Sequence, residues 1–196
     1  MDHAQELMIL FAGNDTAYGT YEVQRQTQSG KQVGKADTKR GEVTVKHWQD
    51  HIAGEIAIGI IPIRTDSHCL WGCIDVDDYN IDQQKLSKKL ADNDLPLLLC
   101  STKSKGAHLY AFFEKPIASI ELQKWLKSIA AGLGYGDMEI FPKQNEILKD
   151  RGDIGNWLNM PYYGGEESTR KCIAPNGKSL TIAQFLKVAY KIRIDP

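Results

Sequence analysis

The chain has 196 residues, of which 42% are hydrophobic and 25% charged, and its formal net charge is −1. This composition is typical of one globular domain and excludes a disordered or fibrous chain. The near-zero net charge excludes overall attraction to nucleic acid, so such binding would need a local basic surface. The polar, acidic start lacks a signal-peptide pattern, and no apolar run approaches the ~20 residues of a membrane span. We therefore expect a cytoplasmic protein.

Cysteine usage predicts reduced thiols rather than a disulfide or zinc framework. The four cysteines are Cys69, Cys73, Cys100 and Cys172. Most lie inside apolar runs, where a free thiol behaves as a small hydrophobic side chain. His68-Cys69-x-x-x-Cys73 lacks a second ligand pair at zinc-site spacing, and strand alternation predicts one buried face for both cysteines. Zinc is therefore not expected.

The first third of the chain predicts a small α/β unit. The predicted elements are a helix over 3–12, a strand over 21–26, an exposed hairpin or mobile loop over 27–42, a helix from Thr44 to about Ala53, and a buried strand over 56–63. Thr44 is a favourable N-cap and Gly54 a favourable helix stop. The segment 27–42 is polar, basic and rich in glycine, which favours an exposed connection.

The rest of the chain alternates strands and helices but joins several strands by short turns. Strands are predicted over 70–76, 95–101, 107–113 and 138–141, helices over 82–93, 119–133 and 181–192, and a loop over 142–156. Short turns favour a mixed α+β fold over a doubly wound sheet. We expect one domain, 1–196, in which an α/β part over about 1–66 precedes an RRM-like β-α-β core over about 67–196.

An acidic pair, Asp75-Val-Asp77, ends the strand predicted over 70–76. Alternation along a strand points both carboxylates to the same face. Two carboxylates this close repel each other unless a cation lies between them, and Mg²⁺ and Mn²⁺ suit oxygen ligands. The alternative is an Asp-rich turn without a metal. Asp78 is predicted to point away as a solvated turn residue.

A basic turn with a histidine follows, Ser101-Thr-Lys-Ser104-Lys105-Gly106-Ala-His108. Lysines and hydroxyls bind phosphates, and a glycine permits close approach of a ligand to the backbone. His108 is suited to bind a phosphate oxygen or to orient a nucleophile. The alternative is a basic hairpin with a surface histidine. This loop does not precede a helix as a Walker-type loop does. It therefore indicates phosphate binding only in combination with the nearby acidic pair.

A third polar segment follows, and its first residues are Asp137-Met138-Glu139. Asp137 and Glu139 share a strand face, and either completes a three-carboxylate site; Glu139 is favoured because the strand is better formed there. Lys143, after Pro142, is a candidate contact to a triphosphate or base.

Amides and aromatic residues follow in Asn156-Trp-Leu-Asn159-Met-Pro-Tyr162-Tyr163. Asn156 or Asn159 is a candidate for a sugar hydroxyl, and Tyr162 or Tyr163 for stacking on a base. An aromatic strand that packs on the sheet is the alternative.

In this order the segments resemble the archaeo-eukaryotic primase superfamily, and more closely its primase-polymerase branch in mobile elements and defence systems, including CRISPR-associated ones. Asp75 and Asp77 are similar to the family's Asp-x-Asp motif, the stretch from Ser104 to His108 to its Ser-x-His-type motif, and Glu139 to its third acidic position. The resemblance covers roughly residues 10 to 165. The chain departs from it at Glu139, where aspartate is commoner, and at Ser104, where many relatives have glycine.

The resemblance implies template-directed nucleotidyl transfer, as a DNA primase, a DNA polymerase or both. It implies two Mg²⁺ or Mn²⁺ ions at Asp75, Asp77 and Glu139, and NTP or dNTP substrates on a single-stranded or primed DNA template. It also implies a triphosphate held by Ser104, Lys105, Gly106, His108 and Lys143. A helicase or another replication or defence module in a longer parent protein is an expected partner.

Several alternatives stay open at this point. The template surface is assigned to the local basic residues Lys39, Arg40, Lys149 and Arg151, although solvated loop lysines give the same pattern. Sugar-nucleotide transferases also carry Asp-x-Asp, and a non-catalytic nucleic-acid-binding module is a further alternative. A nicking nuclease is excluded because the chain has no His-x-His pair. The residues do not choose between ribo- and deoxynucleotides or between primer synthesis and primer extension.

Overall fold

The computed structural model describes residues 2–26 and 32–196. Its helices are α1 (His3–Leu10), α2 (Val45–Ala53), α3 (Gln83–Asp92), α4 (Ser119–Leu133) and α5 (Ile182–Lys191). Its strands are β1 (Ala17–Gln26), β2 (Gln32–Arg40), β3 (Ala57–Ile60), β4 (His68–Val76), β5 (Leu98–Ser101), β6 (Ala107–Ala118), β7 (Glu139–Phe141) and β8 (Leu158–Asn159). Single 3₁₀ turns lie at Lys149–Arg151 and Gly165–Glu167.

The second sheet of the molecule has the strand order β5-β6-β4-β7, and every neighbouring pair in it is antiparallel. With α3 and α4 in the crossovers, the chain order is β-α-β-β-α-β, the ferredoxin-like arrangement that RRM domains share. The fold-class prediction, an α+β chain with an RRM-like core and an added N-terminal α/β part, is confirmed.

The first sheet has the order β2-β1-β3-β8 and is also antiparallel. The polar segment predicted as a hairpin or loop over 27–42 contains β2, which pairs with β1 from Arg40 to Gln32. Residues 27–31 of that prediction lie outside the described residues. Because β8 pairs with β3, a strand from the C-terminal half completes the N-terminal sheet. The part predicted over 67–196 therefore forms the second sheet and also contributes one strand to the first.

Two apolar clusters form the core of the described part of the chain. The first joins α1 and α5 to both sheets and contains Phe11, Ile58, Trp71, Tyr110 and Phe185. The second lies under α3 and α4, on the opposite face of the second sheet. In the first cluster, apolar side chains from both sheets pack against each other, so each sheet covers part of the apolar face of the other.

The cysteines are buried, as expected, but Cys69 and Cys73 lie in different clusters. A register shift between Cys69 and Trp71 inverts the alternation that predicted one face for both cysteines. Burial raises the pKa of the Cys69 thiol to about 12. No helix among the described residues is long and apolar enough to cross a membrane.

Candidate functional site

A cavity of about 250 Å³ opens where the two sheets meet. The segments that line it are the end of β4 and the residues after it, the end of β5 and the turn to β6, the start of β6, the end of β7, the residues around β8, and Arg170. Its lining residues are Asp75, Asp77, Tyr79, Ser101, Thr102, Lys103, Ser104, His108, Phe141, Trp157, Leu158, Asn159, Met160, Pro161 and Arg170. We refer to it as the inter-sheet cavity.

The acidic pair lies at one wall of this cavity. Asp75 is the second-last residue of β4, with a side chain 19% exposed, and Asp77 follows the strand in an exposed position. Asp75 is directly paired with His108 on β6 and with Glu139 on β7. Directly paired residues in an antiparallel sheet project from the same face. The pairing therefore gives Asp75, His108 and Glu139 one common face.

Glu139 is on that face but does not line the cavity. It is exposed on the edge strand β7, and its Oε1 accepts a hydrogen bond from Lys143 Nζ at 2.7 Å. Asp137 is exposed in the turn before β7. No group of three or more His, Cys, Asp or Glu side chains suited to a metal occurs within the described ranges. The structure thus gathers two carboxylates at the cavity and leaves the third engaged with a lysine.

His108 connects the cavity to the protein core. It is 8% exposed, with Nε2 3.3 Å from Asp75 Oδ1 and Nδ1 2.9 Å from the Tyr110 hydroxyl. The same hydroxyl oxygen lies 3.4 Å from the Asn159 carbonyl oxygen. Full burial raises the pKa of Tyr110, so this hydroxyl keeps its proton. Since a carboxylate faces Nε2, that nitrogen is the one that carries a proton in a stable arrangement.

The basic turn is held in shape by hydrogen bonds. Thr102 N–H donates to the Gly106 carbonyl at 3.0 Å, and Lys105 has the left-handed φ of 72°. The side-chain amide of Gln83, the first residue of α3, donates to Ser101 Oγ, the Lys105 carbonyl and the Gly106 carbonyl, at 3.0, 3.1 and 2.9 Å. The first residue of α3 therefore clamps both ends of the turn.

Gly106 has a packing role that the sequence did not reveal. A Cβ at this position would lie 2.4 Å from the Val76 carbonyl oxygen. The missing side chain therefore lets the turn pack against the end of β4, beside the acidic pair. The ligand-binding role expected of Gly106 stays a prediction beside this contact with β4.

The turn directs Ser104 and Lys103 into the cavity lining, whereas the Lys105 side chain is exposed and outside it. Lys103 Nζ lies 3.6 Å from the centre of the Tyr21 ring on β1. This cation–π contact links the turn of the second sheet to the first sheet.

The amide and aromatic candidates divide between the cavity and other places. Asn159 lines the cavity, and its Oδ1 has no hydrogen-bond partner among the described residues. Asn156 is exposed and bonded to Gln144, outside the lining. Tyr162 is fully buried, donates to the Leu180 carbonyl at 3.1 Å and packs on Phe185. A buried ring has no face for a base, so we drop the stacking role predicted for Tyr162.

The predicted template surface lies away from the cavity lining. Lys39 Nζ pairs with Asp37 at 2.6 Å, Arg40 is exposed at the end of β2, and Arg151 is exposed in a 3₁₀ turn. The Lys149 side chain lies outside the described part of the chain.

The lining also contains residues that were not predicted from the sequence, among them Arg170 and Trp157. Arg170 is 4% exposed, its guanidinium lies 5.1 Å from the Tyr163 ring centre, and burial lowers its pKa. A nearly buried cation at a cavity wall attracts an anionic ligand strongly, because water screens it poorly. Its sequence context, Ser-Thr-Arg-Lys, is typical of a solvated loop, so only the fold reveals the burial.

The lining therefore combines carboxylates with Lys103, Arg170 and the His108 ring. Mg²⁺ commonly binds through one or two carboxylates and completes its shell with water and substrate phosphates. Asp75 and Asp77 fit that donor set. The cations and the ring N–H are suited to the phosphates, so the cavity is chemically matched to a metal-bound polyphosphate.

Comparison with known proteins finds a matching family and similar solved structures. The family described as "TOTE conflict system, Archaeo-Eukaryotic Primase domain" matches residues 14–189. A search of curated protein sequences gives no match. Among solved structures, the chain is similar to the AEP domain of the cyanophage S-2L primase-polymerase, with 16% identity, a TM-score of 0.48 and coverage of 96% of this chain and 97% of that one. It is also similar to the polymerase domain of Mycobacterium tuberculosis Ligase D in complex with DNA, with 14% identity, a TM-score of 0.46 and coverage of 98% and 88%.

Proposed function

Since the chain belongs to the archaeo-eukaryotic primase domain family of TOTE conflict systems, we propose that it catalyses template-directed nucleotidyl transfer on single-stranded or primed DNA, as a primase, a polymerase or both. The observation that carries the proposal is the composition of the inter-sheet cavity. Three sequence segments, represented by Asp75 and Asp77, by Ser104 and His108, and by Arg170, converge on it. A metal-bound nucleoside triphosphate, NTP or dNTP, needs this combination of groups.

Asp75 and Asp77 are the proposed ligands of two Mg²⁺ or Mn²⁺ ions, with Glu139 as the third carboxylate. Glu139 shares the sheet face of Asp75, and it would join the site by exchanging its ion pair with Lys143 for the metal. When bound, the ions favour the deprotonated 3′-hydroxyl and neutralise the leaving pyrophosphate.

The side chains around the cavity bind and orient the triphosphate in this proposal. Lys103 and Arg170 neutralise its charge, Ser104 offers a hydroxyl, and His108 donates through Nε2 to a phosphate oxygen. Such positioning and charge neutralisation supply most of the rate in phosphoryl transfer. Lys143, once released by Glu139, adds a further cation beside β7.

Outer positions complete the proposal. Lys105 and Asn156, which are exposed outside the lining, are proposed further contacts to the nucleotide. Asn159 offers a sugar hydroxyl a buried acceptor. The DNA template contacts Lys39, Arg40, Lys149 and Arg151. If these residues carry the template, single-strand affinity should fall steeply with salt, because each neutralised phosphate releases a counterion.

The test is nucleotide incorporation by an Asp75→Asn/Asp77→Asn double variant. We expect at least about a 10³-fold loss with the fold intact, because the change removes two metal ligands and preserves side-chain volume. Wild-type and variant protein are given labelled NTPs or dNTPs with Mn²⁺, on bare and on primed single-stranded DNA.

Asp78→Asn is the matched control, because Asp78 is the adjacent carboxylate and lies outside the cavity lining. It should retain wild-type activity. Full incorporation by the double variant would overturn the site. A wild-type protein that binds nucleotide without incorporating it would favour a non-catalytic module, and one that transfers sugar from a sugar nucleotide would favour that class of transferase.

A further inference from the structure

Trp157 lies flat on a seat made by two glycines of the first sheet. Gly19 on β1 and Gly59 on β3 are directly paired, so they share one face of the sheet. A Cβ at Gly19 would lie 2.1 Å from Trp157 Cδ2, and a Cβ at Gly59 would lie 2.2 Å from Trp157 Cε3. Any side chain at either position would therefore displace the indole.

A hydrogen bond fixes the ring within this seat. The indole N–H donates to Thr38 Oγ1 at 3.1 Å, and Thr38 on β2 is itself the direct partner of Gly19. The ring thus rests on three neighbouring strands. Glycine in a strand interior weakens the strand and commonly marks a close approach of another group. Here two adjacent strands each have a glycine at the same paired position, and the group that approaches them is the indole.

The seated ring is also a wall of the inter-sheet cavity. Trp157 lines the same space as Asp75, His108 and Arg170 and is half-buried there. The cavity therefore has a charged part, suited to metal and phosphates, and a flat aromatic part without charge. Among the four tryptophans, Trp48 and Trp71 are 1% and 0% exposed, and Trp125 packs against Phe113 away from the cavity.

We propose that Trp157 is the stacking platform for the nucleobase of the nucleotide held in the cavity, and that Gly19 and Gly59 are required because they seat it. An indole offers a base a large apolar face and tolerates every base, because each has a π-face. The ring is oriented before the ligand arrives, so little side-chain entropy is lost on binding. The inference rests on the proposed function in one respect, namely that a nucleotide occupies the cavity.

The test compares two ligands that differ in the base. Isothermal calorimetry with Mn²⁺ measures the affinity for dATP and for inorganic tripolyphosphate, which lacks base and sugar. Trp157→Leu should weaken dATP binding by about 5- to 150-fold, the fold-change equivalent of one stacked base. It should leave tripolyphosphate affinity unchanged. The matched control, Trp125→Leu on α4, should change neither affinity.

A second variant tests the seat without altering the tryptophan. Gly19→Ala introduces a Cβ that collides with the indole. It should therefore also weaken dATP binding while leaving tripolyphosphate binding unchanged. Gly132→Ala is its control, because a Cβ there meets nothing within 4 Å. In the unaltered protein, dATP should quench tryptophan fluorescence, and Trp157→Phe should remove that quenching.

Each outcome decides the matter. A selective loss of dATP affinity in both the tryptophan and the glycine variant supports the stacking role. The stacking role would be overturned by an equal loss of affinity for both ligands, by no loss of dATP affinity, or by absence of quenching in a protein that binds dATP. Each of these results would leave the proposed function intact. Failure of the wild-type protein to bind either ligand would overturn both proposals.

Discussion

His108 faces the cavity through one ring nitrogen and the core through the other. Nε2 lies 3.3 Å from Asp75 Oδ1, and Nδ1 lies 2.9 Å from the Tyr110 hydroxyl. A neutral imidazole has one N–H, and the carboxylate favours that proton on Nε2. The Tyr110 hydroxyl then donates to Nδ1. This arrangement makes His108 a hydrogen-bond donor toward the cavity, suited to a phosphate oxygen rather than to proton abstraction.

We therefore expect Tyr110→Phe to impair nucleotide binding more than chemistry. The change keeps the buried ring but leaves Nδ1 of His108 without its donor, which should cost about 1–3 kcal/mol of stability. With His108 less well oriented, the nucleotide KM should rise several-fold while kcat changes little. Steady-state incorporation kinetics and thermal unfolding measure the two effects.

Tyr190→Phe is the control for this prediction. Its hydroxyl donates to the Glu6 carbonyl at 3.4 Å, between α5 and α1 and away from the cavity. The Tyr190→Phe variant should keep the wild-type kcat and nucleotide KM. An unchanged KM in Tyr110→Phe would show that the hydroxyl does not orient His108.

At the residue scale, sequence reasoning selected Asp75, Asp77, Ser104 and His108, and all four line the cavity. These residues lie next to strand ends, where local alternation and turn chemistry are informative. Trp157 was not selected, because its role depends on two glycines that are distant in sequence and adjacent only through the pairing of β1 with β3. Nothing local to Trp157 distinguishes it from a packing residue.

At the element scale, the basic turn depends on α3. Gln83 donates to three acceptors of the turn, and the Asp82 carboxylate caps the same helix by accepting from Lys85 N–H at 2.9 Å. The start of α3 and the turn thus form one hydrogen-bonded unit beside the acidic pair. The lining positions of Lys103 and Ser104 are set by a helix that does not itself line the cavity.

Gln83→Ala should loosen this turn. Loss of these hydrogen bonds should lower the free energy of unfolding by about 1–2 kcal/mol. Tripolyphosphate affinity, measured by calorimetry with Mn²⁺, should fall several-fold, because Lys103 and Ser104 lose their fixed position. Gln84→Ala, one residue further on the exposed face of α3, should stay within about 0.5 kcal/mol of wild type. Equal phosphate affinity in both variants would contradict the clamp.

Elements with local signals were predictable, and those specified by long-range pairing were not. The caps at Thr44, Asp82 and Thr181 and the stop at Gly54 lie where their local chemistry predicts. The strand β2 has a polar sequence without apolar alternation, and its conformation comes from pairing with β1. The extension of β6 beyond Phe113 likewise depends on pairing with β4 past a bulge.

At the scale of the whole molecule, a buried polar contact joins α2 and the first sheet to the wall of the cavity. His51 on α2 is fully buried, accepts from Ile58 N–H at 3.1 Å through Nδ1, and lies 2.8 Å from the Pro161 carbonyl through Nε2. Pro161 belongs to the cavity wall. One neutral imidazole therefore ties α2, the strand β3 and the wall of the candidate site together.

This contact makes stability depend on pH. Burial lowers the pKa of His51 from its ordinary value of 6.5 to about 4. Between these values the unfolded chain binds a proton that the folded protein does not, so the stabilisation is fully present above pH 6.5 and is lost as the pH falls toward 4. The loss amounts to roughly 3 kcal/mol. Urea unfolding across this range should show it, with a decrease that carboxylate protonation deepens only near the acidic end.

Two histidine variants isolate the effect. His51→Gln keeps a donor and an acceptor but cannot titrate, so it should be less stable than wild type at pH 7 and lose less stability between pH 6.5 and 4. His3→Gln, at an exposed position of α1, should reproduce the wild-type profile. A His51→Gln profile parallel to wild type would mean that this buried imidazole does not control acid stability. The difference between the two profiles therefore measures how strongly one side chain couples the helix, the first sheet and the cavity wall.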